Sequence, residues 1–202
     1  MSAEWDDARR AFDDAAQWFV ETAAQVGSRW ERPGLGEWDV RALVGHTSRS
    51  LLTVEAYLGR PAGTVEVGSA VEYYRVTSAL AAGAAVAERG REAGAALGAD
   101  PAAAVAGIAA RVLALVGSTD GTELLTTIAG GMRLADYLPT RTFELAVHTA
   151  DLATALGRPL DVPATAATAS LRLVTDLAVA GGRAGPLLLA ATGRPTSDFS
   201  VL

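Results

Sequence analysis

The sequence predicts an all-α protein. Apolar residues recur at helical spacing along most of the 202 residues, and the breaks between these stretches hold glycine, proline and capping residues. Long alanine tracts are a third sign, because small side chains let helices approach closely.

Taken in order, Trp5, Phe12, Phe19 and Val26 recur at seven-residue intervals with alanines between them, so residues 3–26 form one amphipathic helix that Gly27 closes. Arg29 to Trp38 is a connection whose tryptophans, Trp30 and Trp38, pin it onto the bundle rather than stack on a ligand. Asp39 caps a helix from Val40 through His46 to about Leu58. Gly59 to Gly68 is a loop containing Pro61. One helix is expected from Ser69 to about Leu97, carrying Val71, Tyr74 and Leu80. Asp100-Pro101 then restarts the chain, with Asp as N-cap and Pro at the first helical position of a segment reaching about Val116.

Gly117 to Gly121 reads as a turn, and Thr122 to Gly131 as an irregular approach to a helix spanning roughly Leu134 to Leu156. Pro139 falls in the first turn of that helix or at a kink, and Gly157 ends it. A helix from about Ala164 to Ala180, a short one from about Gly185 to Ala191 and a tail complete the chain. No internal repeat, Walker loop, dinucleotide fingerprint or nucleophile elbow is found.

Composition narrows the chemistry. The net charge of −6 argues against binding a phosphate backbone, so no nucleic-acid partner is expected. No run of about 18 uninterrupted apolar residues suggests a membrane span. The acidic start, Met1-Ser-Ala-Glu-Trp-Asp-Asp, lacks the basic and apolar stretches of a secretion signal, which makes the cytoplasm the expected location. There is no cysteine and no lysine; all 17 basic residues are arginine. An internal thiolate nucleophile and a Schiff-base lysine are thereby excluded, and a thiol nucleophile would have to be borrowed.

Both histidines of the chain, His46 and His148, enter one candidate site with Glu144. Glu144 and His148 are four residues apart, which on a helix sets their Cβ atoms roughly 5–6 Å apart on one face. A further imidazole from another helix gives a His/Glu/His set, the three-ligand pattern of catalytic zinc with an open position. Such a pair also suits a solvated helix face, and a satisfied core histidine is the plain reading of His46 alone. At about 100° per residue, however, Glu144, His148 and Asp151 share an arc flanked by Val147 on one side and by Leu145 and Leu152 on the other. Polar groups turned toward the core need partners or a metal. His46 in turn shares its face with Ala42, Ser50, Thr53 and Tyr57, small or polar neighbours that leave room for a pocket.

Two segments resemble the signature blocks of the mycothiol-dependent maleylpyruvate isomerase-like family, within the broader DinB-like superfamily. One is Gly36-Glu-Trp38-Asp-Val-Arg41-Ala-Leu-Val-Gly-His46. The other is Arg141-Thr-Phe-Glu144-Leu-Ala-Val-His148-Thr-Ala-Asp151-Leu. The resemblance implies a DinB-like four-helix bundle over residues 1–157, followed by a short helical C-terminal extension over 158–202. It also implies that His46, Glu144 and His148 ligate a divalent metal, zinc in the family. The implied chemistry is thiol-assisted: mycothiol or a similar small thiol adds to an electron-poor double bond or displaces a leaving group on a small substrate. The result would be isomerisation or transfer.

Around that site, Asp151 is read either as orienting a ligand or as pairing with an arginine. Arg141 is read either as holding a substrate carboxylate or as pairing with Glu144. Two other classes remain open: a metal-dependent hydrolase, and a non-catalytic metal-binding helical module. The expected partners are a small substrate and a thiol, with a homodimer also open. The isomerase proper resembles this bundle with a larger appended domain, whereas the roughly 45 residues that follow Gly157 are expected to form two helices and a tail.

Overall fold

Helix α1 (Ala3–Ala24) forms as the seven-residue recurrence requires, with Trp5, Phe12, Phe19 and the following Val26 all at most 2% exposed. The computed structural model describes residues 3–78, 84–196 and 200–202. After α1 come a small hairpin of β1 (Pro33–Leu35) and β2 (Trp38–Asp39), then α2 (Val40–Leu58), α3 (Ala70–Thr77), α4 (Ala84–Ala96) and α5 (Pro101–Gly117). A second hairpin, β3 (Leu124–Thr127) and β4 (Gly130–Arg133), leads into α6 (Leu134–Ala155), α7 (Ala164–Ala180) and α8 (Ala184–Ala191). The described residues are therefore all-α apart from two strand pairs.

Four helices make the bundle. α6 packs on α1 and on α2, and α5 closes the other side against the same two. Their inner faces supply Phe12, Phe19, Leu43, Leu51, Val105, Val112, Tyr137, Leu138 and Leu145 to one continuous core. Each fully buried side chain of this size contributes about 1.5–3 kcal/mol. α4 lies outside the ring against α2, α7 covers α6 and α1, and α8 packs on α7 without burying a residue of its own. This is the expected DinB-like four-helix bundle with a short helical extension.

The predicted caps hold. The Asp39 carboxylate accepts a hydrogen bond from the Ala42 amide at 2.7 Å, and Asp100 accepts from Ala103 at 3.1 Å with Pro101 next to it. At the end of α6, Gly157 takes φ +65°, its amide bonds to the Thr154 carbonyl and that of Arg158 to Ala153. That is a Schellman ending. Pro139 lies inside α6, beyond its first turn.

The helix expected from Ser69 to Leu97 is described as α3, whose Ser69 hydroxyl accepts from the Glu72 amide, and α4; residues 79–83 between them, Leu80 included, lie outside the described residues. Three expectations are corrected. The irregular stretch from Thr122 to Gly131 holds the β3–β4 hairpin, in register from Leu124↔Arg133 to Thr127↔Gly130. Its two-residue turn is Ile128-Ala129, which carries none of the Asn-Gly chemistry that marks a hairpin in sequence. The loop before α3 braces it from outside, through Thr126 N–H to Arg60 and Ala62 N–H to Leu124. The connection before α2 contains β1 and β2. The chain end also returns to the fold: Arg183 donates to the Ser200 carbonyl, and Val201 packs against the core.

Candidate metal centre

Because α2 and α6 are neighbours in the bundle, the seventh residue of α2 meets the middle of α6. The His46 and His148 rings stand edge to face, centroids 4.8 Å apart at 84°. Glu144 is one turn before His148, and its Oε2 lies 3.2 Å from His148 Nε2. His46, Glu144 and His148 each offer one ligand atom, and the three atoms lie within 4.8 Å of one another. The side chains of His148 and Glu144 remain 16% and 21% exposed, so the cluster opens to solvent at the edge of the core. Val147, expected to flank it from the apolar side, is itself 39% exposed.

Charge is distributed unequally over the two imidazoles. Burial works against a charged His148, but hydrogen bonds from Nδ1 to Asp151 Oδ2 at 3.1 Å and from Nε2 to Glu144 outweigh it and raise its pKa to about 9. Burial, with the nearby charge of His148 next in size, lowers that of His46 to about 4. Glu144 is held down at about 2: burial opposes ionisation, but His148, Arg141 and the Tyr74 hydroxyl together prevail. Near neutral pH, a charged His148 thus clamps two carboxylates beside a neutral His46.

The other predicted residues also gather here. Asp151 hydrogen-bonds to His148 and pairs with no arginine among the described residues. Arg141 makes no ion pair with Glu144 among the described residues. Its guanidinium lies over the rings of Tyr137 and Tyr73, at 5.1 and 5.5 Å, and its Nε donates to the Thr140 hydroxyl at 3.0 Å. The charge of Arg141 still helps keep Glu144 ionised.

Two neighbours escaped the sequence reading. Tyr74, from α3, donates to Glu144 Oε1 at 2.7 Å across 70 residues of chain. Trp38 packs on the His46 ring at 4.5 Å and 33° while its Nε1 donates to the Ala87 carbonyl at 3.0 Å. Trp38 thus pins its loop, as expected, but does so against a site residue. The only sequence signals were the Tyr73-Tyr74 pair and the nearness of Trp38 to the helix carrying His46.

The donors suit a divalent cation. Two imidazoles and a carboxylate match zinc's preferences and leave a position free. His46 Nδ1 is buried without a hydrogen-bond partner among the described residues, a costly condition that a cation accepting its lone pair would relieve. His148, by contrast, already has the carboxylate support at its outer nitrogen that metal-ligating imidazoles receive.

Residues 2–153 match the family described as the mycothiol maleylpyruvate isomerase N-terminal domain. Among curated proteins and among solved structures, no match is found.

Proposed function

The chain belongs to the mycothiol maleylpyruvate isomerase N-terminal domain family, and we propose that it is a metal- and thiol-dependent enzyme that isomerises or transfers a thiol to a small electrophilic substrate. The observation that carries this reading is the convergence of His46, Glu144 and His148 within 4.8 Å at a solvent-open edge of the bundle.

His46, Glu144 and His148 would hold the cation, with zinc the expected ion. When bound, it would act as a Lewis acid and lower the pKa of a coordinated thiol or water. The chain's own residues prepare for this. Tyr74 fixes one oxygen of Glu144 and leaves the other turned to the cluster. Asp151 fixes the rotation of His148 and takes the proton side of its ring. Arg141, over the rings of Tyr137 and Tyr73 and without a carboxylate partner among the described residues, places positive potential beside Glu144 and favours an anionic group of substrate or thiol nearby. With no cysteine in the chain, a nucleophilic sulfur comes from outside.

The test is elemental analysis of purified protein beside His148→Ala, followed by assays with and without added thiol. Near-stoichiometric metal in the wild type, little in the variant, and turnover only with thiol support the reading. Metal in neither protein, even after incubation with zinc, removes it. Turnover that persists without thiol makes the site a hydrolase instead.

A further inference from the structure

The two imidazoles of the cluster are supported in different ways. His148 is oriented by a hydrogen bond from Nδ1 to Asp151. His46 has no hydrogen bond at either ring nitrogen among the described residues, and its Nδ1 is buried. Nothing polar therefore fixes how its ring is turned. What it does have is the Trp38 indole against its face, 4.5 Å away.

That indole is itself tightly held. Its Nε1–H donates to the Ala87 carbonyl in α4. Gly90, one turn on, leaves the space the ring fills: a Cβ there would lie 2.7 Å from the indole. The seat exists because α4 runs against α2 with the backbones touching. A Cβ on Gly45, next to His46, would lie 2.1 Å from the Gly94 amide nitrogen, and one on Gly94 would lie 2.7 Å from the Arg41 carbonyl oxygen. Only glycines permit that approach. α4, which contributes no ligand atom, thus becomes a rigid back wall behind Trp38.

We propose that Trp38 is a positioning residue for His46, doing through ring contact, from a seat on Ala87 and Gly90, what the Asp151 carboxylate does for His148. This deepens the metal-centre reading and rests on it. It gives α4 a purpose, since a helix outside the bundle sets the orientation of a ligand on α2.

The probe is Co2+ alone, whose visible absorption reports ligand geometry and whose affinity is read by titration, on wild type, His148→Ala, Trp38→Leu, Trp38→Phe and Gly90→Ala. Trp38→Leu is expected to bind Co2+ at least tenfold more weakly with an altered visible band. Trp38→Phe keeps a ring and should lose less. Gly90→Ala retains the indole but displaces it, and should weaken binding about threefold or more with the same change of band. Melting of the metal-free proteins separates folding defects from site defects; if Trp38→Leu does not fold, Gly90→Ala decides. Binding and spectra like wild type in the folded Trp38 and Gly90 variants, with His148→Ala inactive in binding, overturn the positioning of His46 alone. Failure of the wild type itself to bind Co2+ overturns the metal reading and this inference together.

Discussion

Asp151 Oδ2 lies 3.1 Å from Nδ1 of His148, less than one helical turn along α6, while Nε2 of the same ring faces Glu144 at 3.2 Å. One imidazole thus bridges two carboxylates, and removing either should be felt at the other. In Asp151→Asn the amide cannot stabilise a charged ring, so the pKa of His148 is expected to fall from about 9. Metal affinity should fall by roughly 10–100-fold, the usual cost of losing such outer support. Chelator competition checks the second effect and NMR titration the first. Unchanged affinity would mean that Asp151 is incidental.

The two histidines should titrate far apart in the metal-free protein. With only His46 and His148 in the chain, proton NMR of wild type and His148→Ala assigns both, one near 4 and one near 9. The signs for stability follow by linkage. The folded pKa of His148 is raised above 6.5, so its contribution is complete below 6.5 and disappears as pH climbs through about 9. That of His46 is lowered, so its contribution is present above 6.5 and disappears as pH drops through about 4. The melting temperature of the metal-free protein should peak near pH 6.5, and His148→Ala should lose the alkaline limb. A flat profile from pH 6.5 to 9 in the wild type contradicts this.

Metal binding should reverse part of that profile. A ligating imidazole must be neutral, yet His148 holds its proton up to about 9. Affinity is expected to climb with pH across the neutral range, with close to one proton released per ion at pH 7. Calorimetry in buffers of different ionisation enthalpy counts that proton, and a count near zero would show His148 outside the coordination set.

Tyr74→Phe keeps the ring that meets Phe143 edge to face and deletes the hydroxyl that donates to Glu144. A hydrogen bond to a charged group is worth about 1.5–3 kcal/mol, and denaturant unfolding should register a loss of that order. The pKa of Glu144 should move up at the same time, because the Tyr74 hydroxyl is one of the groups holding it down. A stability equal to wild type would show that water replaces the hydroxyl at no cost.

Gly45→Ala tests the backbone contact behind the site. Its methyl would stand 2.1 Å from the Gly94 nitrogen, so α4 must move off α2. Overpacking costs about 1–3 kcal/mol, despite the better helix propensity of alanine. A drop in melting temperature is expected, and a gain would mean that α4 is free to shift.

Much of this was present in the order of residues. The heptad-spaced aromatics of α1, the Asp39 and Asp100 caps, the Gly157 ending and the Glu144–His148–Asp151 arc are relations within one helix or its flanks. A helix fixes such relations by its own repeat. What tertiary structure decided lies between elements. His46 meets His148 because α2 neighbours α6 in the bundle. Tyr74 reaches Glu144 because α3 packs on α6. Trp38 reaches His46 from a seat on α4 that depends on glycines in two helices. Even the β3–β4 hairpin is decided this way, its Ile128-Ala129 turn lacking a local signal while the loop from Arg60 to Val67 supplies partners from outside. Periodicity specifies which face of a helix is buried; which neighbour that face meets is chosen by packing the whole core at once, and no local spacing records that choice.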